Sequence, residues 1–301
     1  MKKACKKGQK DLIELILLHN DNSIMSNYEF INGFKYACQG GHLEIINMML
    51  SLGATDYNWG LQGACEGGHL NIVKMMLDLG AKNYNYGLVG ACKGGHIEII
   101  NMMLELGATA YDWGLKTACK GGHLNIVKMM LDLGANNYNW GLIGACKGGH
   151  IELVKMMLDL GVTDYDWGFK SACEYGHIEV VKIFIDLKIR SLFRFFWACN
   201  GGHDEVIKMI LDTGYTNYNM GFEGACEGGH IKIVKMMIEL GADNYYYIEL
   251  YGNLELKIMY KRLTKKVIDL PIKNQHPEYH LLKFYNKNIP DINRLINKYI
   301  F

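Results

Sequence analysis

The chain carries a cysteine and a histidine four positions apart in a series of similar segments, as at Cys65 and His69. Both are zinc ligands, and a zinc site needs about four ligands at ~2.0–2.3 Å. One segment supplies only two, separated by a glycine pair that turns the chain, and packed helices lie ~8–10 Å apart. We therefore expect no metal site, and we interpret the cysteines as buried, reduced packing residues.

Catalytic and cofactor motifs are missing from the sequence. The glycine pairs, such as Gly67 and Gly68, do not belong to a G-x-G-x-x-G pattern after a strand, and there is no G-K-[ST] phosphate loop. No Ser/His/Asp set and no pair of carboxylates stands apart from the repeated pattern. We expect a protein that is not an enzyme and binds no cofactor.

The segments are copies of one sequence. Residues 57–81 are YNWGLQGACEGGHLNIVKMMLDLGA, and the chain continues with YNYGLVGACKGGHIEIINMMLELGA and two further copies. One cysteine falls at the same place in each repeat, mostly at intervals of 27: Cys38, Cys65, Cys92, Cys119, Cys146, Cys173, Cys199 and Cys226. Faithful internal repeats predict a stack in which each repeat contacts its neighbours.

Each repeat predicts two helices joined by a turn. The first extends from about Trp59 to Glu66 and ends at the glycine pair; the second extends from His69 to Leu79, with one narrow polar stripe. An Asn or Asp recurs just before the first helix, and we predict that it is the N-cap residue: Asn58, Asn85, Asp112, Asn139, Asp166 and Asn219.

Composition limits the class of function. Lys and Arg number 32 against 31 for Asp and Glu, which argues against nucleic acid as the partner. No apolar run reaches the ~18 residues of a membrane span, and the N-terminal residues lack the apolar region of a secretory signal. We expect an intracellular monomer without membrane association.

The segment GHLNIVKMMLDLGA resembles the second helix of an ankyrin repeat, and the resemblance recurs in about nine copies over residues 1–260. It implies an all-α, ankyrin-type solenoid that binds proteins on the concave surface of its first helices. Six residues of the usual 33 are missing between Ala54 and Trp59, where ankyrin repeats carry a projecting β-hairpin. The shortened style is similar to ankyrin proteins of large DNA viruses of amoebae, which implies the host cytoplasm.

Residues that vary between repeats are the candidates for recognition, because invariant positions serve the stack. Two variable columns on the first helices create a basic centre with acidic residues toward either end. An acidic face on a partner protein would match this centre, and ordinary surface scatter is the alternative. The lysines concerned are Lys93, Lys116, Lys120, Lys147 and Lys170.

The repeat pattern breaks at residues 187–197, LKIRSLFRFFW. Lys188 stands where other repeats have the glycine that ends the second helix, and Arg194 replaces a first-helix glycine. Tyr and Trp and Arg are common at binding hot spots. We predict a binding patch here, and a local repacking of an irregular repeat is the alternative. Its residues are Tyr175, Arg194, Phe196 and Trp197.

A column of aromatic residues marks the first turn of each first helix: Trp59, Tyr86, Trp113, Trp140 and Trp167. We interpret these rings as packing on the next repeat. If the rings were exposed, they would form a stacking platform for a peptide or single-stranded nucleic acid, which is the rival hypothesis for function.

Residues 261–301 leave the repeat and contain all three prolines. Apolar residues at helical spacing near the C-terminus predict a helix that caps the stack. The alternative is a docking segment. By resemblance to viral ankyrin proteins, such a segment would make the protein a ubiquitin-ligase adaptor.

Overall fold

The computed structural model describes residues 1–19, 27–188, 193–251 and 257, and every regular element within these residues is a helix. The chain divides into two compact units, Met1–Asp164 and Tyr165–Phe301. The helices of the first unit are α1 Lys2–Lys6, α2 Lys10–His19, α3 Asn27–Gly40, α4 Leu43–Ser51, α5 Tyr57–Gly67, α6 Leu70–Asp78, α7 Tyr84–Gly94, α8 Ile97–Glu105, α9 Tyr111–Gly121, α10 Leu124–Asp132, α11 Tyr138–Gly148 and α12 Ile151–Asp159.

The second unit continues the alternation of first and second helices. Its helices are α13 Asp166–Tyr175, α14 Ile178–Asp186, α15 Arg194–Gly201, α16 Asp204–Asp212, α17 Tyr218–Gly228, α18 Ile231–Leu240 and α19 Tyr246–Leu250. Within each unit, odd-numbered first helices pack on one another and on their own second helices. The predicted all-α class of stacked helix pairs is confirmed, while the predicted C-terminal cap or docking segment, residues 261–301, lies outside the described residues.

The core of each repeat follows from the sequence pattern. In α5, Leu61, Ala64 and Cys65 are fully buried, and in α6 the buried residues Ile72 and Val73 lie on the face opposite the exposed polar stripe. Full burial of a valine, leucine or isoleucine side chain contributes ~1.5–3 kcal/mol to stability. Because the same positions recur in every repeat, the buried side chains form one continuous core along each unit.

The glycines act at helix ends as the sequence predicts. Gly68 ends α5 in the left-handed conformation with φ of 77°, and Gly80 follows α6 with φ of 103°. Among the described residues, Lys188 is the single non-glycine residue with positive φ, at 54°. It occupies the position of Gly80 in its own repeat, so this repeat keeps the turn at a cost in backbone strain.

A second set of glycines lets the first helices approach closely. A Cβ atom on Gly63 would lie 2.1 Å from the carbonyl oxygen of Lys35, and one on Gly144 would lie 2.0 Å from that of Lys116. Thr117 occupies the same position in α9 and directs its hydroxyl to the carbonyl oxygen of Val89 at 3.1 Å. The contact between neighbouring first helices is therefore set by backbone atoms.

The predicted N-cap residues are wrong, by two positions in five helices and by one position at Asp166, where Tyr165 is the N-cap of α13. In the five helices the cap is the residue before the tyrosine, as at Asp56, whose carboxylate accepts from the Trp59 N–H. Asn58 lies inside α5, and its Oδ1 accepts the N–H groups of Lys82 and Asn83 at 3.0 and 2.8 Å. It therefore ties its own helix to the link that begins the next repeat. Equivalent bonds are made by Asn85, Asp112, Asn139 and Asn219.

In the part of the chain that the structure describes, no helix has the length and apolar character required to cross a bilayer.

Candidate partner-binding surfaces

The cysteine and histidine columns serve the packing of the stack. All nine cysteines are buried, and burial raises the pKa of the Cys65 thiol to about 12. The His69 ring lies against Gly41 and Gly67, and its Nε2 donates to the carbonyl oxygen of Gln39 in the preceding repeat at 3.1 Å. No cluster of three or more His, Cys, Asp or Glu suited to a metal ion occurs among the described residues.

The first helices α3, α5 and α7 carry polar side chains that pair with one another at equivalent positions. The Lys35 ammonium donates to Gln62 Oε1 at 2.6 Å, and Gln39 Nε2 donates to Glu66 Oε1 at 2.6 Å. Lys93 forms an ion pair with Glu66. Each partner is 27 residues from the other, so these side chains connect one repeat to the next across the exposed side of the first helices.

The pairing changes character beyond α7. The position of Gln39 and Glu66 is taken by lysine in three successive helices, Lys93, Lys120 and Lys147, which we call the lysine row. Lys116 lies one turn earlier in α9. Burial lowers the pKa of Lys116, and the charges of Lys147 and Lys120 lower it further. Like charges are therefore brought together around Lys116, whereas Lys93 at the start of the row is paired with Glu66.

The aromatic column packs on its neighbours in the first unit. The Trp59 and Tyr86 rings are 5.9 Å apart, and the Trp113 and Trp140 rings are 4.7 Å apart, both tilted. The Lys116 ammonium lies 5.1 Å from the Trp113 ring and 5.3 Å from the Trp140 ring. Packing on the next repeat is confirmed for these pairs, although Trp113 keeps 49% of its surface exposed.

In the second unit, too, a lysine of a first helix lies near two tryptophan rings. The Lys170 ammonium lies 4.9 Å from the Trp167 ring and 4.0 Å from the Trp197 ring. Trp197 is half-buried and meets Phe196 edge to face at 4.7 Å. Phe196 is only 8% exposed, so its ring supports Trp197 from below the surface.

Arg194 begins α15 where other repeats have a glycine. A Cβ on the equivalent Gly60 would lie 2.6 Å from the Met76 sulfur. The repeat of Arg194 carries the shorter Ile210 in place of this methionine, so the sulfur atom that would meet the Cβ is missing there. The guanidinium lies 5.2 Å from the Tyr215 ring. The irregular repeat has therefore repacked locally, and it still presents a partly exposed arginine.

Tyr175 is the most exposed of the predicted patch residues, at 44%. It ends α13 at a position held by glycine in α3, α5, α7, α9, α11, α15 and α17, and its ring stacks on that of His177 with a 5° interplanar angle and 6.3 Å between centroids. The second unit thus holds Lys170, Tyr175, Arg194 and Trp197 on its first helices. The first unit holds the lysine row and Lys116.

Sequence reasoning missed three features of these surfaces. It did not identify the Asn58 bridge, the rows of polar side chains that join successive repeats, or the lysines that lie over tryptophan rings. Two signals were available. Complementary residues recur at intervals of 27, and Lys116 and Lys170 each follow a tryptophan by three positions, which places both on one helix face.

The described residues define a class of architecture: an all-α solenoid of stacked helix pairs, consistent with an ankyrin-like array. No family model matches the chain, and no curated protein matches it. Among solved structures, it is similar to the ankyrin repeat domain of human ASB11, with 26% identity over 52% of this chain and 83% of that chain, and a TM-score of 0.38.

Proposed function

We propose that this protein is a non-catalytic scaffold that binds a partner protein through the exposed side of its first helices. The observation that carries the proposal is a difference between two kinds of position in the repeat. Residues that recur in the repeats, such as Cys65 and His69, pack within the stack, whereas the variable positions of the first helices remain partly exposed.

The variable side chains are also held in place before any partner arrives. Lys116 lies between two indole rings, and Lys170 lies between two others. Long cationic side chains lose ~0.5–1.5 kcal/mol of conformational entropy each when an interface immobilises them. Because neighbouring repeats already restrict these lysines, less of that cost falls on binding.

The chemistry of the surface supports a partner with an acidic face. The first unit carries the lysine row and Lys116, and the second unit by itself carries Lys170, Tyr175, Arg194 and Trp197 on its first helices. Arginine and large aromatic residues supply most of the binding energy in many interfaces, and matching charge directs association. The protein acts as a monomer in this proposal.

Site-specific photo-crosslinking tests the proposal directly. A photoreactive amino acid replaces Tyr175 on α13 in one bait and the exposed Lys182 on α14 in a matched bait, and both are irradiated in cell lysate. We expect one protein to crosslink through position 175 and to be lost when Arg194→Ala and Trp197→Ala are added. Circular dichroism checks that this variant folds.

The result that would overturn the proposal is equally specific. Crosslinks through position 182 alone would place the partner on the second helices. Capture of no protein by either bait, or by a third bait with the photoreactive residue at Lys120, would exclude a scaffold of this kind. Quantitative mass spectrometry of the crosslinked peptides distinguishes these results.

A further inference from the structure

A leucine directly follows each second helix from α4 to α12, and its side chain is exposed by 37 to 54%. The glycine after each leucine is open as well, since a Cβ atom on Gly80 or Gly107 would meet nothing within 4 Å. No described residue therefore covers the outer side of this line, which we call the leucine edge. Its residues are Leu52, Leu79, Leu106, Leu133 and Leu160.

Hydrogen bonds hold the leucine edge beside the first turns of the first helices. The link after α6 donates the N–H groups of Lys82 and Asn83 to Asn58 of α5, and the links after α8, α10 and α12 make the same bonds. The first helices pack in succession, and packed helices are ~8–10 Å apart. The edge therefore presents one leucine about every 8–10 Å along the first unit.

An exposed acidic residue precedes each leucine from α6 to α12, and it ends the second helix. The C-terminus of a helix carries the negative end of its dipole, so a carboxylate is unfavourable there, and the last turns of these helices hold no basic residue. Among the described residues, no ion pair or side-chain hydrogen bond involves these acids. Helix stability does not account for Asp78, Glu105, Asp132 and Asp159.

The leucine edge is acidic as a whole. The helix ends and links of residues 78–83, 105–110, 132–137 and 159–164 contain five acidic residues and one lysine, Lys82. Lysines also lie one turn earlier on three of the helices, but a lysine four residues before an acid is in the less favourable order, and no ion pair forms within the described residues. These are Lys74, Lys128 and Lys155.

We propose that the leucine edge binds a basic amphipathic helix of a partner protein, with apolar side chains on the leucines and lysines or arginines facing the carboxylates. An α-helix rises 1.5 Å per residue and returns to nearly the same face after seven residues, or ~10.5 Å, which is close to the interval of the edge. Amphipathic helices bind apolar surfaces through anchors of this kind. The carboxylates would repel nucleic acid and anionic lipid, which favours a basic protein segment.

This inference goes beyond the proposed function because it concerns a different surface of the first unit. The lysine row lies near the C-terminal ends of the first helices, whereas the leucine edge lies beside their first turns. The two surfaces also carry opposite charge. A partner with an acidic face and a basic helix would therefore bind this chain at separate places.

Fluorescence anisotropy with synthetic peptides tests the chemistry of the edge. The probe is labelled (Leu-Lys-Ala-Ala-Leu-Lys-Ala)3, which as a helix presents a stripe of leucines beside a stripe of lysines. One comparison peptide has glutamate for every lysine, and the other has the composition of the probe in an order that forms no stripe. We expect the probe to bind at least tenfold more tightly than either comparison peptide.

Matched carboxylate variants locate the binding at the edge. Glu105→Gln with Asp159→Asn removes two acids from the C-terminal ends of α8 and α12, and we expect the affinity for the probe to fall about fivefold or more. Glu98→Gln with Glu152→Gln removes two acids from the first turns of the same helices, and we expect a change of less than twofold. The edge variant also loses two unfavourable dipole contacts, so it keeps its fold.

Matched apolar variants test the leucines in the same way. Leu106→Gln with Leu160→Gln makes the edge polar in α8 and α12, and we expect a loss of at least fivefold in affinity. The control is Ile97→Gln with Ile151→Gln, which changes exposed apolar residues at the other end of the same two helices. We expect a change of less than twofold there.

Four results would overturn the inference. Equal binding of the glutamate peptide would exclude recognition of basic residues, and equal binding of the rearranged peptide would exclude an amphipathic helix. Equal losses in the edge variants and their controls would place the peptide elsewhere. Binding of anionic phospholipid vesicles, but of no peptide, would identify a lipid surface as the partner. Crosslinking through position 175 reports on the first helices of the second unit, so the two proposals fail separately.

Discussion

The ammonium nitrogen of Lys170 lies 4.0 Å from the centre of the Trp197 ring, although the two residues belong to successive first helices, α13 and α15. The same nitrogen lies 4.9 Å from Trp167, one turn earlier on its own helix. One lysine thus connects two repeats at the point where the regular pattern breaks. Trp197 occupies the position of the closely packed glycines, so a side-chain contact takes the place of a close backbone contact at this position. Further along α15 the backbones still approach closely, because a Cβ on Gly201 would lie 2.5 Å from the Cys173 carbonyl oxygen.

A double-mutant cycle measures this connection. Lys170→Met and Trp197→Leu, made singly and together, give a coupling free energy from urea unfolding. We expect about 0.5–1 kcal/mol, the range for a partly exposed cation–π pair. Lys182→Met on α14 with Trp197→Leu is the matched control, for which we expect no coupling. A coupling of zero for the first pair would show that the contact adds nothing to stability.

Removing the oxygen that bridges two repeats reduces stability. Asn85 Oδ1 accepts the N–H groups of Thr109 and Ala110 at 2.7 and 3.0 Å. We expect Asn85→Ala to lower the free energy of unfolding by about 1–2 kcal/mol, because two hydrogen bonds lose their acceptor. Asn85→Asp should change it little, since Asp112 makes the same two bonds in the next repeat. Urea titration followed by circular dichroism compares the variants, and equal losses would contradict the bridge.

The left-handed backbone of Lys188 gives a stabilising substitution. A non-glycine residue in this conformation destabilises the fold by ~1–2 kcal/mol. Glycine removes this strain, but it loses more backbone entropy on folding, which offsets ~0.5–1 kcal/mol of the stabilisation. We therefore expect Lys188→Gly to raise the free energy of unfolding by up to about 1 kcal/mol. Gly214→Ala is the control: it has φ of 80° and open space around it, so strain alone should destabilise it. A destabilised Lys188→Gly variant would refute the argument.

The buried thiols predict loss of stability at alkaline pH. Unfolded cysteine has a pKa of about 8.5, whereas burial raises that of Cys92 to about 12. The raised pKa means that the folded thiol keeps its proton. Above pH ~8.5 the unfolded thiol ionises and the folded one does not, so stability is lost as pH rises toward 12. One such thiol removes about 2 kcal/mol between pH 8 and pH 10.

The measurement is urea unfolding of the native protein and of Cys92→Ala at pH 8 and pH 10. Lysines and tyrosines also titrate in this range, so the difference between the two proteins isolates the thiol. We expect Cys92→Ala to lose less stability than the native protein over the interval. Identical losses would show that Cys92 ionises equally in both states. The same burial predicts slow reaction of the native thiols with a disulfide reagent at pH 8.

The sequence predicts the stack because its signals are local or strictly periodic. The amphipathic pattern of residues 69–79, the glycines after each helix and the buried cysteine column all depend on contacts that recur in every repeat. The N-cap was misplaced for a physical reason. Asp56 and Asn58 are both good acceptors for exposed N–H groups, and the choice between them depends on the next repeat, whose N–H groups take up Asn58.

The surfaces are less predictable from the sequence because they depend on side-chain direction. The columns identify which residues vary, but not that Phe196 faces inward while Trp197 holds Lys170. Likewise, the sequence places Glu66 and Lys93 in one column without showing that they form an ion pair. Of the two explanations for the break at residues 187–197, local repacking has support in the contact of the Phe195 and Tyr215 rings, 4.9 Å apart, while the binding patch stays a prediction.

The bridge from Asn58 to the following link has a consequence for how such a chain changes in length. Its acceptor and its two N–H donors are separated by 24 and 25 residues, and the same separations recur at Asn85, Asp112 and Asn139. A duplication or deletion of 27 residues would therefore leave every donor facing an acceptor of the same kind. Recombination between copies of the gene segment would lengthen or shorten the array by whole repeats. Each such change would alter the number of lysines on the surface while keeping the same hydrogen bonds between successive repeats.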